Sequence, residues 1–257
     1  MRIATYNAAG LRPRVPLVLD WITEYEPDVL AMQETKVEDS KFPREEFEEL
    51  GYELALHGQK SWNGVAVLSR SPISNVRFGF QDELFPQDCR ILTCEVDDVT
   101  FINTYVPNGS AVGSDKFDYK LRWLERFDRY LREHFRPDQK LVWLGDINIA
   151  PRSEDVYNAK RFFGQVGHHP EEFKRLERIR DFGLTDVFLK HHPEPGHFTY
   201  WDFVIITAYA KNFGWRIDHI YATAPMAEVC EDCLIDRSAR GRDKPSDHTF
   251  VFADFDV

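Results

Sequence analysis

KLVWLGDINIAP, residues 140–151, begins as a strand for the deep interior and stops on a carboxylate and a carboxamide. Leu141, Val142, Trp143 and Leu144 carry no charge and run up to Gly145. A short continuous apolar run bounded by a turn signal reads as a buried core strand. If the extended backbone continues past Gly145, Asp146 and Asn148 face one side while Ile147 and Ile149 face the core.

Similar runs recur along the chain. RIATYN (2–7), DVLAMQ (28–33), YELALH (52–57), GVAVLS (64–69), RILTCEV (90–96), VTFINTYV (99–106), WRIDHIYA (215–222) and TFVFADFDV (249–257) are rich in Val, Ile, Phe and Tyr. Gly, Pro, Asn or Asp break them. Helical patterns alternate with these strands. PLVLDWITEY (16–25) opens on Pro16, a favoured first helical residue. In 115–135, Phe117, Leu121, Leu124, Phe127 and Leu131 recur at spacings of three and four. A third helix is expected over 170–183, with Pro170 inside its start and Gly183 past its end. Strands mixed with helices give an α/β or α+β class. The short link between 90–96 and 99–106 requires an antiparallel hairpin. Two mixed sheets packed face to face, with helices outside, accommodate all of it.

The 257 residues include 43% hydrophobic and 14% aromatic content, enough for a large core. No internal repeat, low-complexity stretch or Gly/Ser linker interrupts them, so one domain over 1–257 is expected. No apolar run approaches the roughly 20 residues of a membrane helix. MRIATYNAAG lacks the apolar segment of a signal peptide. The expected setting is the cytoplasm, without a membrane partner. The net charge of −11 argues against a broad basic coat for nucleic acid, leaving room for a local basic rim. Basic residues cluster at Arg12 and Arg14, at Arg175, Arg178 and Arg180, and at Arg237, Arg240, Arg242 and Lys244. Cys230 and Cys233 form a lone C-x-x-C without a His pair at finger spacing, which favours packing over zinc or redox chemistry.

The ends of the apolar strands carry the chemistry. RIATY ends in Asn7, DVLAMQ in Glu34, VTFINT in Tyr105 and KLVWLG in Asp146, with Asn148 beyond. Asp247 and His248 precede the last strand. Any one of these could be a plain turn or cap residue. Together, Glu34, Asp146, Asp218 and Asp247 with Asn7 and Asn148 form an oxygen-rich set suited to Mg²⁺ or Mn²⁺. An Asp–His pair can hold an imidazolium in place. No G-x-S-x-G, P-loop or G-x-G-x-x-G is present, so covalent serine chemistry and nucleotide cradling lack support. Metal, carboxylate, amide and imidazole together suit phosphoryl chemistry.

GDIN (145–148), QET (33–35), YVPNG (105–109), NFGWRID (212–218) and PSDH (245–248) occur in this order over the whole chain. In these motifs the sequence resembles the exonuclease III family of apurinic/apyrimidinic endonucleases, within the endonuclease/exonuclease/phosphatase superfamily. The resemblance implies a four-layered α/β sandwich like that of deoxyribonuclease I. It implies Mg²⁺-dependent cleavage 5′ to abasic sites in duplex DNA, with 3′–5′ exonuclease and 3′-phosphatase side activities and a monomeric enzyme. It makes Glu34 the main metal ligand, with Asn7 and Asp247 beside the metal. Asp146 would activate water, Asn148 would hold it, and His248, oriented by Asp218, would bond the scissile phosphate beside Tyr105. Asn108, Asn212 and Arg216 would contact DNA. Trp215, with Tyr200 or Trp201, would wall a pocket for the extruded abasic sugar. The pattern departs at Ala9, where family members often carry Asp or Asn, so one potential metal-shell group is missing. The competing expectations are incision at other damaged nucleotides such as deoxyuridine, a phosphatase or phosphodiesterase acting on non-DNA phosphates, and a non-catalytic DNA-binding protein.

Overall fold

The computed structural model describes residues 1–81, 85 and 88–257. Among them, twelve strands form two six-stranded sheets. The strands are β1 (Arg2–Asn7), β2 (Val29–Gln33), β3 (Glu53–His57), β4 (Val65–Ser69), β5 (Ser74–Phe78), β6 (Ile91–Val96), β7 (Val99–Tyr105), β8 (Leu141–Asp146), β9 (Leu184–Asp186), β10 (Asp218–Thr223), β11 (Cys230–Asp236) and β12 (Phe250–Phe255). The helices are α1 (Val15–Tyr25), α2 (Arg44–Glu48), α3 (Asp115–His134), α4 (Ala159–Phe162), α5 (Pro170–Arg180), α6 (Val187–His191) and α7 (Ala224–Ala227).

One sheet runs β11-β12-β1-β2-β4-β3 and the other β5-β6-β7-β8-β10-β9. Each contains a single parallel pair near its centre, β1 with β2 and β7 with β8. A parallel pair needs a crossover, and here α1 and α3 supply it. The remaining pairings are antiparallel.

Side-chain alternation sorts the layers. On β2, Val29 and Ala31 join the core between the sheets, where they meet Phe101, Val142 and Leu144. Leu30 and Met32 face outward onto Val18, Trp21 and Ile22 of α1. On β8, Val142 and Leu144 face inward. Leu141 and Trp143 face Leu124 and Phe127 of α3 and Leu176 of α5. The expected four layers are present. Their central strands are apolar on both faces because both faces are covered.

Three strands, β5, β9 and β11, were not expected from the sequence. β5 is exposed along its whole length, so no burial pattern marks it. β9 has only three residues. A bulge between Cys230 and Asp232 spoils the alternation of β11. Cys230 and Cys233 are buried free thiols in the inter-sheet core, in keeping with packing. No helix among the described residues is long and apolar enough to cross a membrane.

Candidate active site

Strand direction gathers the polar strand ends at one edge of the sandwich. Asn7 and Gln33 are opposite each other where β1 and β2 both finish. Tyr105 and Asp146 are opposite where β7 and β8 finish. β10 runs antiparallel to β8, so its first residue, Asp218, pairs with Asp146. β12 is antiparallel to β1, which brings Asp247 and His248, just before it, to the same edge. Carboxyl ends of parallel strands are where α/β sheets place their ligands.

Asp146 is the hub. It is 1% exposed. Its Oδ2 accepts from Asn7 Nδ2 at 2.8 Å and from Asn148 Nδ2 at 3.0 Å. Its Oδ1 accepts from the Asn148 backbone N–H at 2.9 Å. His248 Nε2 stands 3.9 Å from Asp146 Oδ2, and His248 Nδ1 is 2.8 Å from Asp218 Oδ2. Asn7 Nδ2 also donates to Glu34 Oε1 at 2.9 Å. Gly145 makes the approach possible. Its φ is +132° and a Cβ there would meet the Thr104 carbonyl at 2.1 Å, so only glycine lets β8 lie this close to β7.

Burial pushes the Asp146 carboxyl well above the ordinary carboxylate range, with Asp218 and Glu34 adding to the rise and His248 opposing it. Burial works to lower His248, but the Asp218 carboxylate outweighs it and raises the imidazole to about 10. At Glu34 burial works upward, while bonds from Lys36 and Asn7 hold the carboxyl below its ordinary value. A carboxyl poised high beside a charged imidazole can exchange a proton with a bound water and donate a hydrogen bond to an anion.

Glu34, Asp146 and His248 bring potential ligand atoms within 4.8 Å of one another. With His248 charged, the carboxyl oxygens of Glu34 and Asp146 are the ones of this group that can take a metal ion. Asp247 is half-buried and lines the same cleft outside that triplet. The Lys36 ammonium is bonded to Glu34 Oε2 at 2.8 Å, which marks that oxygen as one that takes a cation. The donor set fits a hard divalent cation.

The cleft, about 350 Å³, opens from Glu34, Asp146 and His248 into an aromatic bowl of Tyr157, Phe162, Tyr200, Phe213 and Trp215. Phe162 meets Trp215 edge-on at 5.0 Å, and Tyr157 stacks on Phe213 at 4.8 Å. Tyr200 packs 5.0 Å from the His248 ring. Of the two expected wall residues, Tyr200 lines the cleft and Trp201 is fully buried behind it. Tyr105 and Asn108 also line the cleft. Asn108 Nδ2 donates to Asn148 Oδ1 at 3.1 Å. Beyond Glu34 the cleft continues as a groove lined by Lys36, Trp62, Arg90 and Lys116.

Two expectations need correction, those on the backbone at Asn148 and on Arg216. Asn148 does not share a face with Asp146 through continued extended backbone. β8 ends at Asp146, and Asn148 has φ +54°. The left-handed turn folds its amide back onto the Asp146 carboxylate, while Ile147 and Ile149 enter the core as expected. Asn7 is bonded to Glu34 and Asp146 in the candidate metal group. Its Oδ1 is taken by the Ala9 N–H at 2.9 Å and its Nδ2 bridges Glu34 and Asp146. Arg216 does not reach a DNA surface. It is 1% exposed, bonded to Asp155 and Asp186 at 2.8 Å each, because two buried carboxylates need its charge. Asn212 is half-exposed, accepting from Trp201 Nε1 and donating one amide proton to the Gly196 carbonyl.

Of the expected basic clusters, one lies away from the cleft, while Arg14 bonds the Pro245 carbonyl and Arg240 the Trp201 carbonyl. Arg175 and Arg178 pair with Glu125, Glu171 and Asp128 on the α3–α5 surface. Lys36 and Lys116, which no charge cluster in the sequence singled out, border the cleft.

The model of the endonuclease/exonuclease/phosphatase family matches residues 4–248. The chain is similar to exodeoxyribonuclease III of Haemophilus influenzae, 34% identical over 266 residues, covering 99% of this chain and 100% of that protein. It is similar to a solved AP endonuclease from Archaeoglobus fulgidus, with 38% identity, TM-score 0.96 and 100% of both chains covered. It is similar to a solved 3′ phosphatase from Neisseria bound to product DNA hairpin, with 34% identity, TM-score 0.96 and 100% of both chains covered. With its sandwich fold, its convergent polar strand ends and these full-length likenesses, the chain belongs to the endonuclease/exonuclease/phosphatase family and, within it, to the exonuclease III-like nucleases.

Proposed function

We propose that this chain is a Mg²⁺-dependent DNA-repair phosphodiesterase, with Mn²⁺ able to substitute. It acts as a single domain and a monomer, and cleaves duplex DNA 5′ to abasic sites. 3′–5′ exonuclease and 3′-phosphatase activities accompany this. The observation that carries the reading is the junction of an oxygen-rich cluster with an aromatic bowl walled by Trp215. The first suits a phosphate and its cation. The second suits an extruded sugar without a base, which has lost its stacking and is cheap to flip.

Glu34 and Asp247 would hold the metal, with Asn7 fixing Glu34 by a hydrogen bond. When bound, the metal supplies charge neutralisation at the phosphate and the departing oxygen. Asp146, high for a carboxyl and therefore basic, takes the proton of the attacking water, which the Asn148 amide orients. His248, held through Nδ1 by Asp218, donates from Nε2 to the phosphate as negative charge develops. Tyr105 donates to the same phosphate. The P–O bond to the 3′-oxygen breaks and leaves a 3′-hydroxyl. Asn108 contacts the backbone, and the groove with Lys36, Trp62 and Lys116 tracks the strand beyond the lesion.

The test is incision of matched duplexes carrying an abasic site, a uracil, a 3′-phosphate or no damage, with Mg²⁺ and with EDTA. Nicking of the abasic duplex that EDTA abolishes is expected. Intact abasic duplex would overturn the reading, and greater activity on a soluble or lipid phosphate would favour a non-DNA substrate.

A further inference from the structure

Lys120 is an unusual occupant of a protein interior. It lies in α3 and is fully buried, as is Glu172 in the first turn of α5. The two meet at 2.5 Å. A buried ion pair is weak support for stability, because desolvation consumes most of the attraction. What the pair touches gives a better reason for it.

The ammonium has three protons and three acceptors around it. Besides Glu172 Oε1, these are the backbone carbonyls of Asn148 at 2.7 Å and Asn108 at 3.2 Å. Glu172 in turn accepts the backbone N–H of Gly167 and of His169, both at 3.1 Å. Three chain segments therefore hang on one ion pair. The first carries Asn108, the second Asn148, and the third Gly167, which packs under Trp215. All three line the cleft. The second contains the left-handed Asn148, a conformation that asparagine adopts more readily than other non-glycine residues and that bonds at its N–H and its carbonyl hold here. The Asp146 carboxylate fixes the Asn148 N–H, and Lys120 fixes its carbonyl from the opposite side.

We infer that Lys120 and Glu172 are positioning residues, a buried strut that holds Asn148, Asn108 and the Trp215 wall at the spacing the phosphodiester needs. Neither touches substrate. The strut clamps the left-handed turn at Asn148, so the amide beside Asp146 keeps one orientation. Misplacing an orienting group by about 1 Å can cost roughly 10²-fold in rate. Neither Lys120 nor Glu172 bonds Glu34 or Asp247; the strut reaches Glu34 only through Asn148, Asp146 and Asn7.

This inference rests on the proposed activity only for the choice of substrate. The variants are assayed on whichever DNA the wild-type chain hydrolyses, so wild-type failure on abasic DNA counts against that activity alone. Lys120→Met and the double variant Lys120→Met/Glu172→Leu are compared with wild type. Turnover is measured at saturating Mg²⁺ and corrected for the folded fraction, alongside half-saturating Mg²⁺ and thermal melting. Lys120→Met should lose about 10²-fold in kcat while half-saturating Mg²⁺ stays within about twofold. The double variant should melt above the single one, because no unpaired charge is left inside, and remain as slow. A double variant that recovers wild-type turnover with its stability would overturn the strut. A double variant as unstable as the single one would make the pair a folding requirement and overturn it equally.

Discussion

His248 Nε2 lies 3.9 Å from Asp146 Oδ2, with the other ring nitrogen anchored on Asp218 at 2.8 Å. That spacing is too long for a direct hydrogen bond. A phosphate oxygen or a water to the side of the line joining them can bond both the carboxylate and the charged imidazole.

The Asp218 anchor should be visible in the pH dependence. The folded-state value of His248 is raised from 6.5 to about 10. Its charge therefore stabilises the fold fully below 6.5, and that contribution is lost as pH rises through about 10. Asp218→Asn removes the partner that raises it. The basic limb of kcat should move to lower pH by about one unit or more, as read from full pH–rate curves. An unmoved limb would mean another group sets it.

Asp146→Asn keeps the size of the side chain and removes the base. Turnover should fall by about 10²–10⁴-fold, while binding to abasic duplex, measured by anisotropy, persists. Wild-type-like turnover would refute the role given to Asp146.

Lys36 and a metal ion compete for Glu34 Oε2. Lys36→Met should tighten Mg²⁺ binding to the free protein by about two- to fivefold, the worth of a partly exposed ion pair. Glu34→Gln should weaken it by about tenfold or more. Calorimetric titration without DNA separates both effects from catalysis.

Arg216→Met should act on stability. It leaves Asp155 and Asp186 buried without their cation, a loss of about 3–5 kcal/mol. The melting temperature should drop by roughly 2–4 °C per kcal/mol. A variant with unchanged melting but weakened DNA binding would restore Arg216 to the interface.

Trp215→Ala should open the wall of the bowl. The preference for abasic over undamaged duplex should fall because the pocket no longer fits one sugar, while 3′-phosphate removal changes less. An unaltered preference would place lesion selection elsewhere.

Much of this architecture is legible in the chain because strands record their burial locally. Leu141–Leu144 reads as a buried strand, whereas the sorting of Val29 and Ala31 into one layer and Leu30 and Met32 into another, all four apolar, came from the packing. Glu34, Asp146 and His248 were legible as polar ends of apolar strands and Asp218 as a residue within the run 215–222, and the strand directions bring them together. β5 was not legible, since an edge strand exposed along its length has no pattern to read.

What the sequence determined by itself was the set of layers and the residues at their rim, because hydrophobic periodicity depends on neighbours in the chain. The tertiary structure alone decided how those residues are held. Arg216 sits beside Trp215 in sequence yet turns into the core, because Asp155 and Asp186 wait there. Asn148 reaches Asp146 through a left-handed turn, clamped by a lysine from α3 that is paired with a glutamate from α5. A buried charge is stable only against its partner, and which distant residue becomes that partner is fixed when the helices pack.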